Sequence, residues 1–147
     1  MYVSSKQMDE IWQKVGAMRT DQISAMQKRH RKDQKTLTKF TYAHLLELTE
    51  EAAGIGLYIF HVVVEAFSSL TPRPKAVRRP AIDRVWELSA ATLAHMALSA
   101  EPHVTRYLEE ALAEEDEVVL TNAEWFHCAS VVHATIVVLH GACGNTT

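Results

Sequence analysis

AAGIGLYIFHVVVEAF, residues 52–67, is an apolar run that holds two ionisable side chains, His61 and Glu65. Around them stand Ile59, Phe60, Val62, Val63, Val64, Ala66 and Phe67, so a helix through this stretch is apolar almost all round and belongs at the centre of the fold. A carboxylate placed there must be paired, be protonated or bind a metal, because an isolated buried charge is too costly. His61 and Glu65 are four residues apart and can meet on one helix face, which predicts a structural pair as an internal polar lock. A groove or interface face, and a metal or catalytic role, are the other two readings. Steps of three and four residues place His44, Glu47, Glu51, Gly54 and Tyr58 on the same face, and its N-terminal half reads as ordinary solvated surface.

No proline occurs between Ser5 and Leu70, and apolar positions recur there at helical spacing. This half is expected to form two long helices or one broken helix, with the break in KTLTKFTY, where Thr36, Thr38 and Thr41 are poor interior residues and possible caps. The second helix is expected from about Tyr42 to Ser69 and is ended by TPRPKAVRRP. A third spans roughly Pro80 to Ser99, and a fourth opens near Pro102 and ends in the acidic run EEDE. The fifth opens on the capping box TNAE, with Thr121 as cap and Glu124 reaching back, and closes at Gly141. The expectation is an all-α, up-and-down bundle of four to five mostly antiparallel helices, one domain over 1–147: a long N-terminal helix over 1–40 with a basic C-terminal half, and a bundle core over 41–147.

With 147 residues and 48% hydrophobic residues the chain has the material for one packed core. The longest apolar segments, Ala52–Val64 and Cys128–Leu139, are 13 and 12 residues long, short of the roughly 18 a membrane span needs. The N-terminus lacks the charged head and apolar region of a secretory signal. Cys128 and Cys143 lie 15 residues apart with no CxxC partner, which fits free thiols in the cytoplasm, and Cys128 reads as an inert buried thiol.

A metal site would need ligands from further helices: His61 and Glu65 with Glu87 and His95 on the third helix and Glu124 and His127 on the fifth. Iron, manganese or zinc suits such a mixed carboxylate and imidazole set. Glu124 and His127 form an E-x-x-H pair similar to that of helical di-iron carboxylate bundles, which carry two such motifs where this chain has one. HVVVE, residues 61–65, resembles the H-x-x-x-E of hemerythrin-like proteins, without their H-x-x-x-H and H-x-x-x-x-D. ELTE, residues 47–50, resembles the carboxylate helices of all-α nucleotide pyrophosphatases, without the downstream E-x-x-D. No family is assigned on these fragments. His133 and His140 share another face of the fifth helix and read as hydrogen-bonded core residues.

The net charge of −3 argues neither for nucleic acid nor for a solvating acidic protein, but the charges are segregated. KRHRKDQKTLTK carries Lys28, Lys32, Lys35 and Lys39 on one row, and TPRPKAVRR adds Arg73, Lys75, Arg78 and Arg79, so ten of the fifteen basic residues lie in two segments. Against them stand Glu109, Glu110, Glu114, Glu115, Asp116 and Glu117. Nothing resembling a helix-turn-helix, zinc or RNP motif accompanies the basic row. The expected function is a non-enzymatic protein-interaction or regulatory module that self-associates, with Trp12 on the first-helix stripe, Lys28, Lys32, Lys35, Lys39, Glu114, Glu115 and Glu117 as partner contacts. A metal-binding helical bundle with redox, sensing or hydrolytic activity is the alternative.

Overall fold

The computed structural model describes residues 3–113 and 120–143. They form helices and no strands: α1 (Ser5–Gly16), α2 (Thr20–Asp33), α3 (Lys35–Leu45), α4 (Glu50–Ser68), α5 (Arg79–Trp86), α6 (Ala90–Ala100), α7 (Pro102–Ala113) and α8 (Asn122–Gly141). The all-α expectation holds. The expected four to five helices become eight among the described residues, because the first three are each divided, while the fifth stands as the single helix α8.

The divisions have local causes. After Gly16 the Ala17 amide bonds back to Gln13 and Val15, and the Arg19 amide donates to the Gln22 side chain at 2.9 Å to open α2. The next break falls at Gln34, with φ −129° and ψ 56°, and not in the threonine run. Thr36, Thr38 and Thr41 instead lie inside α3, where Thr38 Oγ1 donates to the His30 carbonyl at 3.4 Å. Thr49 caps α4, accepting from the Ala52 amide at 3.3 Å, with Glu50 and Glu51 in the first turn where the helix dipole favours acids. Ser89 caps α6, accepting from the Thr92 amide at 3.2 Å, and so separates it from α5. The capping box of α8 is present as read, with Thr121 Oγ1 accepting from the Glu124 amide at 3.1 Å and Glu124 accepting from the Thr121 amide at 3.0 Å.

Two central helices, α4 and α8, pack on each other and carry buried residues over most of their length. They run parallel: Thr49 Oγ1 donates to Glu124 at 2.7 Å at their N-terminal ends, and Val64, Ser68 and Leu139 line one cavity near their C-terminal ends. This departs from the expected antiparallel order. Parallel neighbours need a long return path, and α5, α6 and α7 supply it. Close approach at the N-terminal end requires Gly56, where a Cβ would stand 3.0 Å from a Leu45 methyl and 3.2 Å from Cys128 Sγ. The buried apolar cluster draws residues from all eight helices, with Phe60, Phe67, Met8 and Leu37 among its largest fully buried members.

Among the described residues one helix, Glu50–Ser68, is long and apolar enough to cross a membrane, with a mean hydropathy of 1.3. Two thirds of it is buried inside the fold, as expected of a core helix.

Candidate functional site

His61 and Glu65 are both buried, at 1% and 4% exposure, and both are satisfied. They do not bond one another. His30 of α2 stands between them, its Nδ1 2.8 Å from His61 Nδ1 and its Nε2 3.0 Å from Glu65 Oε1, the two imidazole rings nearly parallel. His61 Nε2 continues the chain to the Tyr42 hydroxyl of α3 at 2.8 Å. At the other end Arg29 donates to Glu65 Oε1 at 2.6 Å and Lys14 of α1 donates to Oε2 at 3.1 Å. Three helices, α2, α3 and α4, thus meet on one polar thread, Tyr42–His61–His30–Glu65, and Lys14 joins α1 to its end.

An ionised Glu65 can only accept, so His30 donates from Nε2. One proton fits between the two Nδ1 atoms. With it on His61, both imidazoles are neutral and the Tyr42 hydroxyl donates to His61 Nε2; when the thread holds one further proton, His30 donates from both nitrogens as an imidazolium and His61 Nε2–H donates to the Tyr42 oxygen, so every atom is satisfied in either state. The hydrogen bond from His30, followed by those from Arg29 and Lys14, holds the Glu65 carboxyl well below the usual carboxylate range against the opposing effect of burial. Burial, with the positive field of His30 and Arg31, lowers His61 to about 3. Burial raises the Tyr42 phenol. Glu65 also borders a cleft of about 350 Å³ shared with Lys14, Arg29, Ser68, Ser69 and Arg73.

His30 is the residue that sequence reading missed. It sits inside KRHRKD, where five exposed charged neighbours concealed a side chain that is 1% exposed. Its signal is present: it falls four residues after Met26, the other buried residue of α2. Glu101 was missed as well. It is fully buried where α6 meets α7, accepts from the Val3 amide at 2.8 Å and pairs with His140 Nδ1 at 2.7 Å, which explains the position of His140 on α8. Burial raises the Glu101 carboxyl.

The remaining ligand candidates do not converge on His61 and Glu65. Glu87 is exposed at the C-cap of α5 and His95 is exposed on α6, so the division of the third helix separates them. Glu124 is occupied by Thr49 and Thr121. His127 turns to α3, where its Nε2 donates to the His44 carbonyl at 2.8 Å. His133 is buried and burial lowers its pKa. Cys128 is fully buried, its thiol pushed up to about 11 by burial, and its Sγ faces the Ala52 carbonyl at 3.8 Å.

Of the partner-contact candidates, Lys28 and Lys32 lie exposed on α2 and Lys35 and Lys39 exposed on α3, and the break at Gln34, where Thr38 of α3 folds back to the His30 carbonyl, divides the expected single row into two pairs. Gln34 itself is buried and ties the second basic segment to this place: its Nε2 donates to the Lys75 carbonyl and its Oε1 accepts from the Val77 amide, both at 2.9 Å. Trp12 is half-buried, edge-on to Tyr58 with centroids 5.9 Å apart and tilted against Tyr107 at 6.0 Å. It borders a cleft of about 310 Å³ with Ile55, Ile59 and Ala111. Glu114, Glu115 and Glu117 lie outside the described residues.

No family model, curated protein or solved structure matches this chain.

Proposed function

We propose that the protein is a non-enzymatic binding module whose basic face takes an acidic segment of a protein partner, a second copy of this chain among them. The observation that carries this reading is the junction at Gln34. It brings Lys75 and its neighbours Arg73 and Arg78 to the same end of the molecule as Lys28, Lys32, Lys35 and Lys39. All seven are exposed, and among the described residues none has a carboxylate within ion-pair distance. With Asp33 the single acid of residues 28–39, the excess of positive charge on a fixed frame steers an oppositely charged partner and sets its register. The acidic run from Glu109 to Glu117 gives a second copy the complementary charge for a symmetric association. Two buried free thiols support placing the protein in a reducing cytoplasm.

The polar thread serves this surface from inside. Glu65 holds Arg29 at its place on α2, and His30 fixes the next residue of the same helix, so the basic face rests on a helix pinned to the core at two adjacent positions. Sedimentation equilibrium at about 50 mM and about 500 mM salt tests the reading. Self-association at low salt that weakens at high salt and disappears on reversal of Lys28, Lys32, Lys35 and Lys39 to Glu supports it. A protein monomeric at both salts that also binds no acidic peptide overturns it.

A further inference from the structure

Beyond the basic face, the geometry points to a divalent metal site of the zinc class formed by His44 of α3, Glu47 in the connection to α4, and His127 of α8. One ligand atom from each of these side chains lies within 4.8 Å of the others, and among the described residues this is the group of three that comes together so closely. Of the residues read from the sequence as ligand candidates, His127 alone belongs to it.

Two features support a ligating role. The His127 ring is oriented by its Nε2–H, which donates to the His44 backbone carbonyl at 2.8 Å and leaves the lone pair on Nδ1. A backbone carbonyl that accepts from one imidazole N–H fixes the ring in tautomer and direction and leaves the other nitrogen able to ligate. Finally, the two imidazoles are walled by aromatic rings: Phe40 lies 4.5 Å and Trp86 4.7 Å from the His44 ring, with Trp86 6.4 Å from that of His127. That wall limits ring rotation and solvent on one side, while Glu47 approaches from the exposed side.

Two imidazoles and one carboxylate form a borderline N/O set that suits zinc, with three protein ligands leaving a fourth tetrahedral position for water. Ion binding would clip the 46–49 connection to α8, close to the point where Thr49 already bonds Glu124 at 2.7 Å. The metal should therefore stabilise the native chain by mass action.

The test uses full-length protein stripped with a chelator and titrated with zinc against a chromophoric competitor, and with cobalt followed by visible absorption and tryptophan emission. The expected result is one equivalent bound, an unfolding midpoint that rises with zinc, and cobalt quenching that a Trp86→Phe variant loses. Glu47→Ala removes an exposed side chain, and His127→Gln keeps a donor for the His44 carbonyl; each should weaken zinc binding about tenfold or more. Far-UV circular dichroism of both metal-free variants confirms the fold. Failure to bind zinc stoichiometrically, or binding of equal strength in the His44→Ala, His127→Gln double variant, overturns the site. A loss of self-association on charge reversal leaves this result untouched, so the two proposals fail separately.

Discussion

His30 and His61 meet Nδ1 to Nδ1 at 2.8 Å, and through that contact a carboxylate on α4 is bound to an imidazole of the same helix by way of α2. Replacing His30 by Ala leaves Glu65 without its buried donor and His61 without its Nδ1 partner. A buried polar group stripped of its partner costs about 1–3 kcal/mol, and a buried charge more. His30→Ala is therefore expected to lower stability by about 3 kcal/mol, whereas Lys28→Ala, two residues away and exposed, stays within about 0.5 kcal/mol. Denaturant midpoints of the two variants check this. A His30→Ala chain as stable as the parent would mean that the thread is not a structural element.

The same thread sets the acid response. Unfolded His61 takes a proton near pH 6.5 but folded His61 only near 3, so between those values the unfolded state binds more protons and stability falls with falling pH. Glu65, held far below its unfolded value of 4.5, adds a second loss below that pH. Stability should be flat above about pH 7 and then decline by up to about 1.4 kcal/mol per unit for each proton taken up. His61→Gln should flatten the upper part of the decline, and urea midpoints across the range show whether it does.

Two glycines of α4 should respond oppositely to a side chain. Gly54 has open space around the position a Cβ would take, so Gly54→Ala should gain about 0.5–1 kcal/mol from helix propensity. At Gly56 the added atom meets Leu45 and Cys128, and Gly56→Val should lose about 1–3 kcal/mol through overpacking between α3, α4 and α8. Thermal unfolding of the pair reads both signs in one experiment.

Thr41 and Thr105 are fully buried, and among the described residues the hydroxyls of both lack a hydrogen-bond partner. Valine keeps the shape and removes the desolvated oxygen. Thr41→Val and Thr105→Val should each be neutral or stabilising by about 1 kcal/mol, the reverse of the usual outcome for a buried polar deletion. A clear loss of stability in either would show that the hydroxyl is satisfied in solution.

Much of this architecture is legible in the residues, for identifiable reasons. α8 was readable from end to end because a capping box, a long apolar course and a closing glycine agree with one another. The C-terminal end of α4 was readable because TPRPKAVRRP cannot continue a helix. The divisions at Gln34 and at Leu46–Thr49 were not, because they depend on partners distant in sequence: Gln34 ends α2 while its side chain binds Lys75 and Val77, and Thr49 both caps α4 and reaches Glu124. The burial of His61 and Glu65 followed from their apolar flanks, but the identity of the group between them did not. His30 is recruited across helices from a stretch whose composition resembles solvated surface, and periodicity within α4 cannot find a partner on α2. His44 and Glu47 likewise read as solvated stripe residues until α8 places His127 against them.

Fluorescence anisotropy of a labelled peptide spanning residues 108–118, titrated with the full-length chain, tests the central claim most directly. The account predicts salt-sensitive binding that falls about 30-fold when Lys28, Lys32, Lys35 and Lys39 are reversed to Glu, since four surface ion pairs at about 0.5 kcal/mol each sum to about 2 kcal/mol. It also predicts a smaller loss for Gln34→Ala, which releases the 73–78 segment without removing a charge. Binding that survives the four reversals unchanged, or no binding at low salt, would contradict the assignment of this basic face as the partner surface.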